Sequence, residues 1–292
     1  MKHAEIIAKM TVEEKAAILS GVSEWESREI KRLGIPAAFF SDGPHGVRKQ
    51  EGEGDHLGLN ASVPATCFPT AATIANSWDE SFGEEIGKAL GEEASALGVD
   101  VLLGPGLNIK RSPLCGRNFE YFSEDPYLAG KMAASYVRGI QSQGIYACPK
   151  HFAVNSQELR RMAMNSVLDE RTLREIYLTG FEIAIKEGKA KSIMTSYNEV
   201  NGVYANENEH LLKEILREEW GFDGVIMSDW NTTVPEDGSI PWVCVAAGND
   251  IIMPGNSDDD KNIRDAYKEG KLTEKEIRLC ADRILKLIRR LS

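Results

Sequence analysis

The stretch GFDGVIMSDW, residues 221–230, decides the fold. Its apolar run VIM, residues 225–227, is short, rich in β-branched side chains and preceded by Gly224, which predicts a fully buried strand of a parallel sheet. Asp229 stands at the carboxyl end of that strand, beside Trp230. Because ligands meet α/β sheets and barrels at this end of their strands, the carboxylate indicates a candidate site. Two structural interpretations remain open, in which Asp229 caps the next segment and Trp230 plugs the end of a barrel.

The same alternation of strands and helices extends outward from this stretch. Further apolar runs occur at residues 35–40, 67–75, 99–103, 145–148, 191–194 and 250–253. Helix signals separate them, including capping boxes at Thr11 and Thr273 and a proline, Pro126, of the type favoured at a first helical position. Alternation over about 250 residues predicts an α/β fold of the (β/α)8 TIM-barrel type. Seven strands are clear instead of eight, so one strand is expected to be degenerate.

No linker or change of composition divides the chain, which predicts one barrel domain over residues 1–292. A doubly wound open sheet is the alternative architecture. It is disfavoured because no glycine-rich dinucleotide or phosphate-binding motif follows any of the strands. The sequence also predicts no cofactor.

Composition excludes several classes of function. The 45 acidic and 34 basic residues give a net charge of −11, which repels nucleic acid and anionic membrane surfaces. The five cysteines form no C-x-x-C pair, and the five histidines are scattered, so neither a disulfide framework nor a metal site is expected. Without a signal-peptide pattern or a run of 18 apolar residues, a cytoplasmic location is the expectation.

Polar residues cluster just after the predicted strands. They are Asp42, Arg117, Lys150, His151, Tyr197 and Asp229. In a barrel these loops share one face, so residues nearly 190 positions apart are expected to converge. Several donors and a carboxylate, together with the indole of Trp230, suit a polyhydroxylated ligand with apolar ring faces. A phosphate site instead needs a glycine-rich backbone cradle at a helix start.

Taken singly, these residues have structural alternatives. His151 is also typical of a hydrogen-bonded core histidine, and Asp42 before Gly43 and Pro44 is typical of a turn. Arg117 and Glu120 suit an ion pair within their own loop. Lys150 is harder to explain in this way, because an ammonium directly after a buried strand needs acceptors nearby.

Six motifs carry a resemblance to a known family. They are SDGPHGVR from Ser41, FPTAATIANSWD from Phe68, GPGLNIKRSPLCGRNFEYFSEDP from Gly104, KHFAVNSQE from Lys150, MTSYNEVNG from Met194 and GFDGVIMSDW from Gly221. Together they closely resemble the barrel domain of glycoside hydrolase family 3 β-glucosidases, from about residue 9 to the end of the sequence. The resemblance implies retaining hydrolysis of β-linked glucosides or related small saccharides.

The resemblance also implies roles for individual residues. Asp229 is similar to the nucleophile and Tyr197 to the tyrosine near it, whereas Trp230 is similar to the stacking tryptophan. The residues similar to those that hold the sugar hydroxyls are Asp42, Arg117, Lys150 and His151. Glu120 and Glu158 resemble partners that support these groups. Lys150 and Arg117 near Asp229 are expected to hold its pKa down, which suits a nucleophile.

A retaining enzyme also needs a second carboxyl, about 5 Å from the first, to protonate the leaving oxygen. In the family this acid usually comes from a second, α/β sandwich domain, which the sequence through Ser292 does not contain. Three explanations stay open: a barrel half with little or no activity, which is favoured, an acid supplied by another chain or subunit, and an in-chain carboxyl. The in-chain candidates are Glu158, Glu53 and Glu236.

The leading hypothesis is therefore a retaining β-glucosidase-type barrel that is weakly active or inactive alone. The alternative is a non-catalytic sugar-binding or structural barrel. An activated aryl glucoside distinguishes these two hypotheses. A barrel with a catalytic nucleophile hydrolyses it, whereas a non-catalytic barrel does not.

Overall fold

A computed structural model describes residues 3–52, 54–234 and 236–288. Its α-helices are α1 Ala4–Lys9, α2 Val12–Ala17, α3 Ala71–Ala75, α4 Glu80–Ala96, α5 Pro126–Ser142, α6 Glu170–Thr172, α7 Thr179–Lys186, α8 Pro241–Ala247, α9 Ser257–Lys268 and α10 Glu274–Leu287. Two further segments, Leu173–Leu178 and His210–Glu219, are π-helical, and Lys31–Leu33 forms a 3₁₀ turn. The strands are β1 Phe40–Asp42, β2 Val101–Leu103, β3 Tyr146–Ala147, β4 Asn165–Ser166, β5 Ser192–Met194, β6 Glu199–Val200, β7 Val203–Tyr204 and β8 Val225–Met227.

The helix starts follow the polar caps in the sequence. Thr11 and Thr273 form the predicted capping boxes of α2 and α10. Asp125 accepts a hydrogen bond from Leu128 N and precedes Pro126 in α5. Asp169 caps α6, from which the chain continues through the π-helical segment into α7. These side chains satisfy backbone donors that the first helical turn leaves without partners.

Parallel pairing brings the carboxyl ends of the strands to one side of the molecule. Strand β2 lies between β1 and β3, and β5 pairs with β8. Single parallel bridges extend this succession, joining Phe152 to Thr195, Met227 to Ile251 and Ser20 to Ile252. Strands β2, β5 and β8 are buried at every position, as expected for parallel strands covered on both faces.

The prediction of an eight-stranded α/β barrel is confirmed only in part. Within the described ranges, the α/β alternation is present, but the strands form separate sheets and no closed barrel is found. Between Ser20 and β1, antiparallel bridges join Gly21 to Ser27 and Glu26 to Phe39. The apolar run at 67–75 contains helix α3, because Thr70 caps it and an alanine-rich segment follows.

The outer helices pack through glycine. Helices α4 and α5 make close backbone contact, and a Cβ on Gly87 would lie 2.4 Å from Tyr136 O. A Cβ on Gly139 would lie 2.2 Å from Glu84 O, so each helix has a glycine where the other crosses. This approach fixes α5, and with it the loop of residues 104–125 that leads into the site.

The helices are short or polar on one face. Across the three ranges that the structure describes, none has the length and apolar character needed to cross a bilayer.

Candidate active site

A cavity of about 110 Å³ lies where the parallel strands end. Its lining residues are Trp25, Asp42, His56, Leu103, Arg117, Lys150, His151, Arg161, Met194, Tyr197, Asp229 and Trp230. The seven residues predicted as nucleophile or sugar ligands are all among them. The convergence expected from the strand ends is therefore found, whereas the roles of the residues stay predictions.

The seven predicted residues lie at the end of a strand or in the segment that follows it. Asp42 is the last residue of β1, and Lys150 and His151 come shortly after β3. The segment after β3 is tied to its neighbours by hydrogen bonds from Lys150 N to Pro105 O and from Phe152 N to Met194 O. Asp229 comes two residues after β8. Buried strands of fixed register thus place residues from distant parts of the chain around one volume.

Asp42 and Lys150 form an ion pair at the wall of the cavity. Lys150 Nζ donates to Asp42 Oδ1 at 2.8 Å, and Arg48 Nη2 lies 3.4 Å from Asp42 Oδ2. Burial raises the pKa of Asp42, but Lys150 and Arg48 lower it by more, so that its pKa lies below the ordinary value. The carboxylate is therefore ionised and ready to accept hydrogen bonds from hydroxyl groups.

The loop before α5 adds a second ion pair. Arg117 Nε donates to Glu120 Oε1, and Glu120 Oε2 lies 4.0 Å from Lys150 Nζ. Glu120 is buried and does not line the cavity. It lies beside the cations Arg117 and Lys150, which do line the cavity, and its supporting role stays a prediction.

His151 is held from both sides. Its backbone N–H donates to Asn108 Oδ1 at 2.8 Å, and its Nδ1 lies 3.1 Å from the hydroxyl of Tyr121. Burial lowers the pKa of His151 well below the ordinary value, and the charges of Arg117 and Lys150 lower it further. The imidazole is therefore neutral, and it has one donor and one acceptor nitrogen.

The two carboxylate oxygens of Asp229 differ in their contacts. The backbone N–H of Trp230 donates to Asp229 Oδ1 at 2.7 Å. Asp229 Oδ2 is buried, has no hydrogen-bond partner in the described part of the chain and lies 3.6 Å from His151 Nε2. Burial raises the pKa of Asp229 by more than Arg117 and Lys150 lower it as expected, so the net shift is upward and not the expected depression.

Tyr197 lies under a cation that the sequence did not point to. The guanidinium of Arg161 is 4.4 Å from the centre of the Tyr197 ring, and its Nη1 donates to Glu158 Oε2 at 3.0 Å. Glu158 also accepts from Asn155 Nδ2 at 3.0 Å and does not line the cavity. Burial, and then the charge of Asp229, raises the pKa of Tyr197, so its hydroxyl is neutral.

Trp230 is both a lining residue and a packing residue. Its ring centre lies 5.4 Å from that of Trp25, and Trp230 Nε1 donates to the carbonyl oxygen of Glu24 at 2.8 Å. The side chain is buried. Trp230 therefore fits both interpretations, since it borders the cavity, as a stacking residue would, and packs against Trp25, as a structural residue would.

The structure shows the surroundings of two of the three glutamates considered as the acid that protonates the leaving oxygen. Glu236 is exposed, and Glu158 is held by Arg161 and Asn155. Glu53 lies outside the described residues. No group of three or more His, Cys, Asp and Glu suited to a metal ion occurs within residues 3–52, 54–234 and 236–288.

The sequence did not single out the polar and aromatic lining residues Trp25, His56 and Arg161 or the supporting residue Arg48. Arg48 ends the motif SDGPHGVR, and that motif was the available signal for it. The other three lie in polar loops with no periodic pattern.

Comparison with known proteins shows the family of the chain. The Glycosyl hydrolase family 3 N terminal domain matches residues 4–287. The "Thermostable beta-glucosidase B" of Acetivibrio thermocellus is 51% identical over 285 residues, which cover 97% of this chain and 37% of that protein. An exo-alpha-(1->6)-L-arabinopyranosidase of Bifidobacterium longum is 42% identical over 97% of this chain and 37% of its own length.

A solved structure shows the same fold. Beta-glucosidase 3B from Thermotoga neapolitana, in complex with glucose, superimposes with a TM-score of 0.90 at 44% identity, over 98% of this chain and 42% of that one. The chain thus spans a little over a third of the length of these curated relatives.

Proposed function

Since the chain belongs to glycosyl hydrolase family 3, we propose that its cavity is the sugar site of a retaining β-glucosidase-type hydrolase in which Asp229 is the nucleophile. The observation that carries this proposal is the state of the Asp229 carboxylate. One oxygen is restrained by the backbone of Trp230, and the other has no hydrogen bond within the described residues. A carboxylate so placed, among groups suited to hydroxyls, is available to bond to an anomeric carbon.

The reaction proceeds in two steps. A carboxylate oxygen of Asp229 bonds to C1 of the sugar while the C1–O bond to the leaving group breaks and its electron pair stays on the leaving oxygen. Water then attacks C1 and loses one proton to solvent, while the C1–O bond to Asp229 breaks and its electron pair returns to the carboxylate. Asp42, Lys150, His151 and Arg117 hold the ring hydroxyls, and they orient C1 toward the carboxylate.

The supply of the proton to the leaving oxygen limits the activity of the chain. Of the described carboxyl groups, Asp42 and Asp229 line the cavity, and Lys150 holds Asp42 ionised. We place the acid outside the described residues, in another domain of a longer protein, such as an α/β sandwich, or in a second subunit. The chain alone then acts on substrates whose leaving group needs no proton.

Activated and natural substrates test this proposal together. We expect slow release of dinitrophenolate from 2,4-dinitrophenyl β-glucoside, faster release with azide and negligible hydrolysis of cellobiose. Asp229→Ala should abolish the release, because it removes the carboxylate that forms the ester in this proposal. Asp223→Asn is the matched control, since Asp223 is exposed and precedes the same strand at its other end. An unchanged rate in Asp229→Ala would refute the role of Asp229.

The second candidate function is sugar binding without turnover. It is favoured by the same paucity of acids in the cavity. It predicts that glucose or gluconolactone raises the unfolding temperature, because a ligand that binds only the folded state stabilises it. Calorimetry beside the dinitrophenyl assay decides between the two, since both functions stabilise the protein but only one releases dinitrophenolate.

The identity of the sugar is also a proposal. A β-glucoside is favoured by the beta-glucosidases among the relatives, but one relative is named an arabinopyranosidase. A panel of dinitrophenyl glycosides would rank the sugars. We further propose a cytoplasmic location, which the five free cysteines favour.

A further inference from the structure

His56 lines the cavity but is not among the residues proposed to bind the hydroxyls of the sugar ring. It belongs to the polar loop of residues 49–62, far in sequence from the strand ends. Its side chain is 34% exposed, compared with 1% for His151 and 10% for Asp229. These values place His56 at the open mouth of the cavity and the other two residues at its closed end.

Several contacts fix the position of His56. Its Nδ1 lies 3.0 Å from Glu24 Oε1 and 3.3 Å from Asn231 Nδ2. Glu24 is itself held to the site, because its carbonyl oxygen accepts the indole N–H of Trp230 at 2.8 Å. The backbone carbonyl oxygen of His56 lies 3.4 Å from Nη2 of Arg48.

The loop that carries His56 is also ordered by its own carboxylate. Asp55 accepts hydrogen bonds from the backbone N–H groups of Leu59 at 2.9 Å and Asn60 at 2.7 Å, and from Gln50 Nε2 at 2.8 Å. A hydrogen-bonded turn therefore carries His56, and Glu24 holds its imidazole in place.

The direction of the substrate follows from the placement of Asp229. In the proposed function, C1 of the sugar must face Asp229 near the closed end. The leaving group then projects toward the mouth, because it must depart by the open side. We infer that His56, oriented by Glu24, binds the leaving-group side of the substrate and favours a hydroxyl-bearing leaving group such as a second sugar.

The hydrogen-bond chemistry fits this assignment, which rests on the proposed function. When Nδ1–H of His56 donates to Glu24, Nε2 is an acceptor for a hydroxyl group. On this assignment, a monosaccharide at the closed end should not reach this nitrogen, whereas a disaccharide should extend to it.

Two ligands of different length test the inference. Isothermal titration compares glucose with thiocellobiose, whose sulfur linkage resists hydrolysis, in the wild type and in His56→Ala. We expect thiocellobiose to bind the wild type more tightly than glucose, and His56→Ala to reduce that preference about threefold to tenfold, as the loss of one hydrogen bond predicts. Glu24→Gln should reduce it less, because the neutral amide still accepts from the ring.

His210→Ala is the matched control, because this histidine also pairs with glutamates but lies on the π-helical segment outside the cavity. It should leave the preference unchanged. An equal loss of affinity for both ligands in His56→Ala, or no loss for either, would overturn the inference. His56 would then serve only to stabilise its loop. If the wild type bound neither ligand, the proposed function would fail instead.

Discussion

Nε2 of His151 lies 3.6 Å from Oδ2 of Asp229, the carboxylate oxygen that has no hydrogen bond within the described residues. The distance exceeds that of a hydrogen bond, and the imidazole is neutral because burial lowers its pKa. His151 therefore borders the carboxylate without supplying a cation to it. The charge that favours ionised Asp229 comes chiefly from Arg117.

The pH dependence of glycosylation should report this charge. Ionised Asp229 is the reactive form, so the rate rises as pH rises through the pKa of Asp229. Burial raises that pKa and Arg117 opposes the rise, so Arg117→Met should move the acid limb to higher pH. Arg117→Lys keeps the charge and should move it less.

The measurement is kcat/KM for dinitrophenyl β-glucoside between about pH 4 and about pH 8, with thermal unfolding followed at each pH. Coincident acid limbs in the wild type and Arg117→Met would contradict this electrostatic account.

The ion pair between Asp42 and Lys150 should make stability depend on pH. Asp42→Asn leaves the ammonium of Lys150 buried without its nearest carboxylate, and we expect a loss of about 1–3 kcal/mol in the free energy of unfolding near neutral pH. The folded pKa of Asp42 lies below the ordinary 3.8. Its contribution is therefore present above about that pH and is lost as pH falls through the folded pKa.

Urea unfolding at several pH values checks this, with the exposed Asp223→Asn as control. The stability difference between wild type and Asp42→Asn should shrink in acid. A constant difference down to about pH 2.5 would show that the ion pair does not couple to folding in this way.

Trp230 should contribute to stability as well as to the cavity. Trp230→Phe removes the hydrogen bond to Glu24 O and should cost about 1–2 kcal/mol, whereas Trp230→Ala also opens a void against Trp25 and should cost about 3–5 kcal/mol. Denaturant unfolding measures both. If neither variant lost stability while glucose binding weakened, Trp230 would be a platform for the sugar and not a packing residue.

The sequence predicted the features that local pattern controls. The buried strand at 225–227, the caps at Thr11 and Asp169 and the polar residues after the strands all depend on neighbouring residues, and the structure contains them. The parallel order of the strands then brings the polar residues together without further information.

Features that depend on tertiary folding were not predictable in this way. Arg161 reaches Tyr197 because its loop folds back, and His56 reaches the cavity through contacts with Glu24. The direction of the pKa shift of Asp229 depends on its burial, which the sequence does not give. The antiparallel bridges that join Gly21 to Ser27 and Glu26 to Phe39 likewise had no evident signal in the sequence.

The identity of the nucleophile is the claim on which the account rests. Incubation with 2,4-dinitrophenyl 2-deoxy-2-fluoro-β-glucoside, followed by peptide mass spectrometry, tests it most directly, because the fluorine slows release of the sugar from the enzyme. If Asp229 is the nucleophile, the label will be a fluoroglucosyl ester on Asp229. A label on any other residue would contradict it.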